Sequence, residues 1–177
     1  MRTRGHYVRS RLRYYFYTPD YIGGEDLPVR ESPNEFWQGE ITGSWFHRVG
    51  AAHRMFVTYG IGSSFGEHPL VNDFSLGGPL HLGSFNNDEL RASDYVLGTI
   101  GYLHRVGRLA DVLGGNIYLG GWFEQGSAHE YWDDMRYRSS VTLGTVLETL
   151  LGPVYAGTSF DFDGRFRFYV GVGPLVR

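Results

Sequence analysis

Hydrophobic and polar residues exchange places at every second position in eight segments of this chain, at about 5–17, 35–47, 53–63, 94–106, 114–125, 137–149, 153–162 and 165–173. A period of two is that of a β-strand, whose successive side chains point to opposite faces. The pattern is plainest towards the C-terminus. Phe166, Phe168, Val170 and Val172 share one face of the last segment, against Arg165, Arg167, Tyr169, Gly171 and Gly173. Val154, Ala156, Thr158 and Phe160 oppose Tyr155, Gly157, Ser159 and Asp161, and Val141, Leu143, Thr145 and Leu147 oppose Thr142, Gly144, Val146 and Glu148. The first segment sets Arg9, Arg11, Arg13 and Tyr15 against Val8, Leu12, Tyr14 and Phe16. Each segment is roughly 9–14 residues long, whereas globular strands average about 5–6 and a tilted membrane-crossing strand needs about 9–11.

Two architectures produce this alternation. A soluble barrel or sandwich turns its apolar face inward, and an outer-membrane barrel turns it outward to lipid and lines its interior with polar groups. Strand length and the Gly/Tyr/Arg polar face favour the second. So do aromatics at segment ends (Tyr14, Tyr15, Phe16, Tyr17, Phe36, Trp37, Trp45 and Phe46), which read as interfacial girdles. Connections 18–34, 64–93 and 126–136 are long and 48–52, 107–113 and 150–152 short, as expected of outer loops and periplasmic turns. Only Asp163-Gly164, a hairpin-turn signal, breaks the pattern. Both termini then fall on the periplasmic side. No run of 18 apolar residues exists, so no transmembrane helix is expected. The basic start Met1–His6 is followed by no apolar stretch, which reads as a mature segment cut from its signal. The predicted fold is all-β: one domain over 1–177, an antiparallel transmembrane β-barrel with eight strands per chain.

Composition sharpens this picture. A net charge of −3 excludes a generally basic nucleic-acid binder. The absence of cysteine removes disulfide scaffolds, cysteine-based zinc sites and thiol chemistry. Glycine, at 26 of 177 residues, is about double ordinary usage. All 16 basic residues other than histidine are Arg, whereas an ordinary soluble surface uses Lys freely.

Residues 74–106, FSLGGPLHLGSFNNDELRASDYVLGTIGYLHRV, carry a further signal. An aromatic–x–x–Gly–Gly motif (Phe74, Gly77, Gly78) is followed by Leu82, Gly83 and Ser84-Phe85, then by Glu89-Leu90 and a long strand. This order resembles the bacterial surface antigen superfamily of outer-membrane assembly and translocation barrels, most closely the barrel attached to patatin-type phospholipases. GGNIYLGGWFEQG (114–126) and LETLLGPVYAG (147–157) resemble later strands and a periplasmic turn of that family. The resemblance implies a sixteen-stranded barrel whose Gly-Gly loop folds back into the lumen, this chain corresponding to the last eight strands. It implies a bacterial outer-membrane protein that aids protein or lipid insertion or transport. Phospholipase activity would belong to an attached domain absent here. The chain also departs from the family. The family's loop Arg falls on Gly83, and the Arg/Glu pattern of the next strand becomes Thr99, Gly101 and Leu103. The family's ion-pair anchoring of the loop is therefore not carried over. The last strand runs on into Gly173–Arg177 rather than ending in an aromatic residue, which departs from the family's assembly signal.

The residues alone leave the function open between an assembly or translocation barrel, a passive pore or structural barrel, and a soluble β-barrel for a small apolar ligand. The expected lumenal face carries Arg9, Arg11, Arg13, Arg165 and Arg167, with Glu40, Glu124, Glu148 and Asp161 as partners for the arginines. The apolar Phe74, Leu76, Leu80, Leu82 and Phe85 predict a loop packed on that face, with Gly77-Gly78 allowing a tight turn. Closure has two solutions. The eight strands close alone, or segment 5–17 of one chain meets 165–173 of another in a sixteen-stranded homodimer; the crowded interior favours the latter. The expected partners are a lipid bilayer or detergent and a second copy, and not nucleic acid.

No enzyme, cofactor or metal is expected. Gly62-Ser63-Ser64-Phe65-Gly66 matches G-x-S-x-G, but a nucleophile elbow leads into a helix and none is expected here. The seven histidines show no HExxH spacing or close pairing. His129-Glu130 with Asp133 and Asp134, and Glu25, Asp26, Glu31 and Glu35, read as solvated loops.

Overall fold

The computed structural model describes residues 4–16, 35–65, 73–110, 114–150 and 152–173. Its strands are β1 (Arg4–Tyr15), β2 (Phe36–Val49), β3 (His53–Ser63), β4 (Phe74–Leu76), β5 (Leu90–Ala92), β6 (Asp94–Arg108), β7 (Gly114–His129), β8 (Arg138–Thr149), β9 (Gly152–Phe160) and β10 (Phe166–Val172). Eight of them form one antiparallel sheet in the order β1-β2-β3-β6-β7-β8-β9-β10, and β4 pairs with β5 in a separate hairpin. Among the described residues the helical content is one 3₁₀ turn, Trp132–Asp134.

The eight long strands fall where the alternation places them. β2, β6 and β7 run two to four residues further than expected, and Arg165 lies in the turn before β10 rather than in it. Alternation does not reveal β4 and β5, because three residues are too few for a period of two to be seen. β1 and β10 are the two edges of the sheet, and among the described residues they do not pair with each other, so this sheet is not closed into a barrel.

Register sorts the side chains into two faces. Trp122, opposite Gly101 and Thr142, shares a face with Phe56, Glu124 and Ser159; Phe123, opposite Ile100 and Val141, takes the other. The abundance of glycine has a steric cause here. Phe56 faces Gly101 across β3 and β6, and a Cβ at Gly101 would lie 2.2 Å from the Phe56 ring. Tyr59 covers Gly43 and Tyr155 covers Gly171 in the same way. An aromatic ring laid over a cross-strand glycine recovers contact that the missing side chain gives up.

Candidate functional site: a loop fastened to the polar face

The segment between β3 and β6 folds back onto the sheet. β4 and β5 form its base, and Gly77 (φ 129°) and Gly78 (φ 95°) turn the chain above them. Only glycine fits at Gly77, because a Cβ there would lie 1.9 Å from the Asn86 carbonyl oxygen. The Gly77 amide donates to the His81 carbonyl at 2.6 Å, and the Gly78 amide to the Phe85 carbonyl at 3.1 Å. Leu80 (φ 62°) and Leu82 (φ 72°) hold left-handed conformations that are costly for side chains of this size. Burial offsets that cost. Leu80 packs with Phe56, Leu103, Tyr118, Trp122 and Val146, and Leu82 with Phe74, Leu76, Phe85, Tyr95 and Leu97.

Glu124 on β7 is the fastening point. Its buried carboxylate accepts the amide N–H of Gly83 at 2.8 Å and that of Leu82 at 3.3 Å. A Cβ at Gly83 would lie 2.3 Å from Ser159 Oγ, so a side chain there would have to displace that hydroxyl. Here the main chain supplies the donors. Ser84 adds two bonds to Ser140 Oγ, from its amide at 3.2 Å and its hydroxyl at 2.6 Å. Thr142 and Ser159 bond to each other at 2.5 Å beneath the loop. At the far side, Arg165 donates to Glu89 at 2.6 Å and lies 4.5 Å over the Phe85 ring. Glu89 also accepts from the Asn86 amide at 2.6 Å, and these donors hold its carboxyl below the usual carboxylate range, Asn86 first and Arg165 second.

The charged residues singled out from sequence meet only in part. Arg11 pairs with Glu40 at 3.6 Å. Arg13 donates instead to Gln38 and Arg9 to Tyr7, each at 3.1 Å. Glu124 holds the loop, Glu148 accepts from Asn116 at 2.7 Å, and Asp161 lies 3.8 Å from Arg165 and accepts its amide at 2.8 Å. The expected pairing of the β1 arginines with Glu124, Glu148 and Asp161 is therefore corrected. In an antiparallel sheet, register decides which side chains are neighbours, and it places β1 beside β2 alone. Arg167 lines a cleft beside the loop with Phe85 and Tyr169.

Other candidates separate in the same way. Ser64 is buried and donates to the Ser93 carbonyl at 3.0 Å, a structural bond at a strand end; Gly66 lies outside the described residues. His129 is buried, whereas Glu130, Asp133 and Asp134 are exposed. Among the described residues no three His, Asp or Glu side chains converge as a metal site. Glu35 accepts the Tyr14 hydroxyl, and Glu25, Asp26 and Glu31 lie outside the described residues, as does Tyr17. The aromatics proposed as girdles divide between faces. Tyr14 and Trp37 pack at a tilt on the exposed face, while Tyr15 stacks on Phe36 on the loop face. Sequence reasoning missed Ser140, Thr142 and Ser159, and missed that His53 meets His104, Nδ1 to Nδ1 at 3.3 Å, beside the Tyr102 hydroxyl. Register between β3 and β6 is what brings those histidines together.

Among the described residues the opposite face carries no such cover. Phe166 (67% exposed), Phe168 (65%), Val170 (63%) and Val172 (67%) follow one another along β10. Leu12, Trp37, Ile41, Ile61, Ile100, Leu119 and Leu143 continue the apolar exposed surface across the other strands. No protein-family model matches this chain, and no curated protein matches it.

Proposed function

We propose that the protein is an integral β-barrel of the bacterial outer membrane, its exposed apolar face in lipid and the 74–92 loop held inside. The observation that carries this reading is the inversion of the two faces. Glu124, Gln38, Thr142 and Ser159 are buried, while Leu12, Phe168 and Val170 are about two-thirds exposed. Soluble monomers rarely expose apolar patches beyond a few hundred Å². A bilayer removes that penalty and is the solvent for which apolar-out, polar-in strands are suited. Within this reading the loop favours a barrel that assists insertion or transport of proteins or lipids over a passive pore. A pore leaves its polar face to water, and here Leu80, Leu82 and Phe85 cover it. The protein acts through its shape, not as an enzyme.

The test is folding with and without lipid. The chain should fold, and float with phospholipid vesicles in a density gradient, only when bilayer or detergent is supplied. A folded monomer in plain buffer with fixed aromatic packing would refute the membrane reading. Ion conductance in planar bilayers would favour the pore, and secretion or insertion defects in a deletion strain would favour the assembly role.

A further inference from the structure

His53 opens β3 and stands directly opposite His104 on β6, next to the turn at 50–52. Register puts both on the face that carries Val57 and Ile100, away from the loop, in a row that reads Val49, His53, His104, Leu119 across β2, β3, β6 and β7. We infer that this pair is a metal site: His53 Nδ1 and His104 Nδ1 hold one tetrahedral divalent ion, Zn²⁺ by the geometry, beside the Tyr102 hydroxyl. The inference does not depend on the membrane reading, because the end of a strand next to a turn is within reach of water in either case.

Three observations carry it. The first is spacing. The two Nδ1 atoms are 3.3 Å apart, with ring centroids at 4.9 Å. Two nitrogens bound to tetrahedral zinc at about 2.0–2.1 Å stand about 3.3–3.4 Å from each other, whereas adjacent nitrogens of a square-planar ion stand about 2.8–2.9 Å apart. The pair is therefore already set at the tetrahedral span, and two strands of a sheet hold it there. The second is the count of bonds. His53 Nδ1 meets both His104 Nδ1 and the Tyr102 hydroxyl. A ring nitrogen offers one N–H or one lone pair, and neither serves two partners in full. A cation between the two imidazoles takes a lone pair from each and frees the hydroxyl to donate elsewhere or to join the ion. The third is the charge around the pair. Arg54 and Arg105, next to the histidines in sequence, turn to the opposite face, Arg54 across from Leu103 and Arg105 across from Tyr118. The neighbours in the row, Val49 and Leu119, are exposed and apolar. Among the described residues no guanidinium opposes a cation here, and no carboxylate competes for the imidazoles. Because no third His, Asp or Glu converges on the pair, the site is an open one, with positions left for water, rather than a closed four-ligand structural site.

The chain has no cysteine, so imidazoles are its only soft ligands for zinc. The test uses the full-length chain without a histidine tag, in the medium in which it folds, stripped with EDTA and then dialysed. Calorimetric titration with zinc chloride should show one saturable site per chain. His53→Ala and His104→Ala should each weaken it by at least about tenfold, the lower end of what loss of even an outer-shell partner costs. His81→Ala, on the loop, should leave the affinity unchanged. Near-UV circular dichroism equal to that of the parent shows that each variant is folded. Cobalt(II) bound in place of zinc should give the intense visible absorption of a tetrahedral ion, and His104→Ala should abolish it. Three results overturn the inference: a folded parent that takes up no zinc saturably, an affinity that both histidine variants keep, or the weak absorption of octahedral cobalt. The first of these would leave His53 and His104 as a hydrogen-bonded pair and nothing more.

Discussion

On the face that carries the loop, Trp122, Tyr118 and Glu124 are all nearly inaccessible; on the opposite face Leu12, Phe168 and Val170 are about two-thirds exposed. The strands are the same and the alternation is the same, so side-chain hydrophobicity does not decide which face is hidden. The difference comes from the 74–92 loop, which brings Leu80, Leu82 and Phe85 onto a face of mixed aromatic, aliphatic and polar residues and donates its own amides to Glu124 and Ser140 there. A buried carboxylate is tolerated when N–H donors reach it. An exposed apolar face is tolerated when the solvent is not water.

The comparison can be broken most sharply at Trp122. Trp122→Ala should cost about 3–5 kcal/mol of unfolding free energy, as for large aromatics removed from a packed core. Phe168→Ala, of similar chemistry on the other face, should change it by less than about 0.5 kcal/mol in detergent. Denaturant unfolding in micelles reads both, and equal losses would mean that the faces are not different. Next in size is Phe168→Arg, expected to cost about 2–4 kcal/mol in a bilayer if the residue lies near its midplane. An unchanged or improved stability would mean that this face meets water.

A third change addresses the loop. Glu124→Ala removes the acceptor for two buried amides and should cost about 1–3 kcal/mol. The result to look for is proteolysis at Phe74–Phe85 that is slow in the parent and fast in the variant; unchanged protection would show that apolar packing alone holds the loop. The smallest effect concerns pH. The Glu89 carboxyl sits below its ordinary value of 4.5, so its contribution is present above about pH 4.5 and lost as pH falls through the lowered value. Glu89→Gln should flatten that acid dependence of loop protection and lower protection at neutral pH by the same small amount, small because the pair with Arg165 is exposed to solvent.

The eight long strands are legible in the sequence because alternation sustained over nine or more residues is the mark of a strand with two unlike faces. The apolar loop residues are legible as a segment unsuited to water. The Glu124 anchor is legible only in part. A carboxylate in the pattern suggests an arginine partner, and main-chain amides leave no trace in the residue types. The partners of the β1 arginines are hidden for a related reason: Arg13 and Gln38 become neighbours only once register is known. The same holds for His53 and His104, 51 residues apart. Open edges are foreseeable as a problem of closure, but alternation within one copy does not say which solution the chain takes.

Residues 122 and 123 offer the most direct test of the central claim, since they are adjacent in β7 and point to opposite faces. Two chains would be folded into vesicles whose acyl chains carry bromine, which quenches tryptophan on contact. One keeps Trp122 as its single tryptophan, and the other carries Trp122→Phe with Phe123→Trp, with Trp37, Trp45 and Trp132 replaced by Phe in both. Strong quenching at position 123 and little at 122 is the predicted result. Equal quenching at both, or stronger quenching at 122, would contradict an apolar face in lipid and a polar face turned inward.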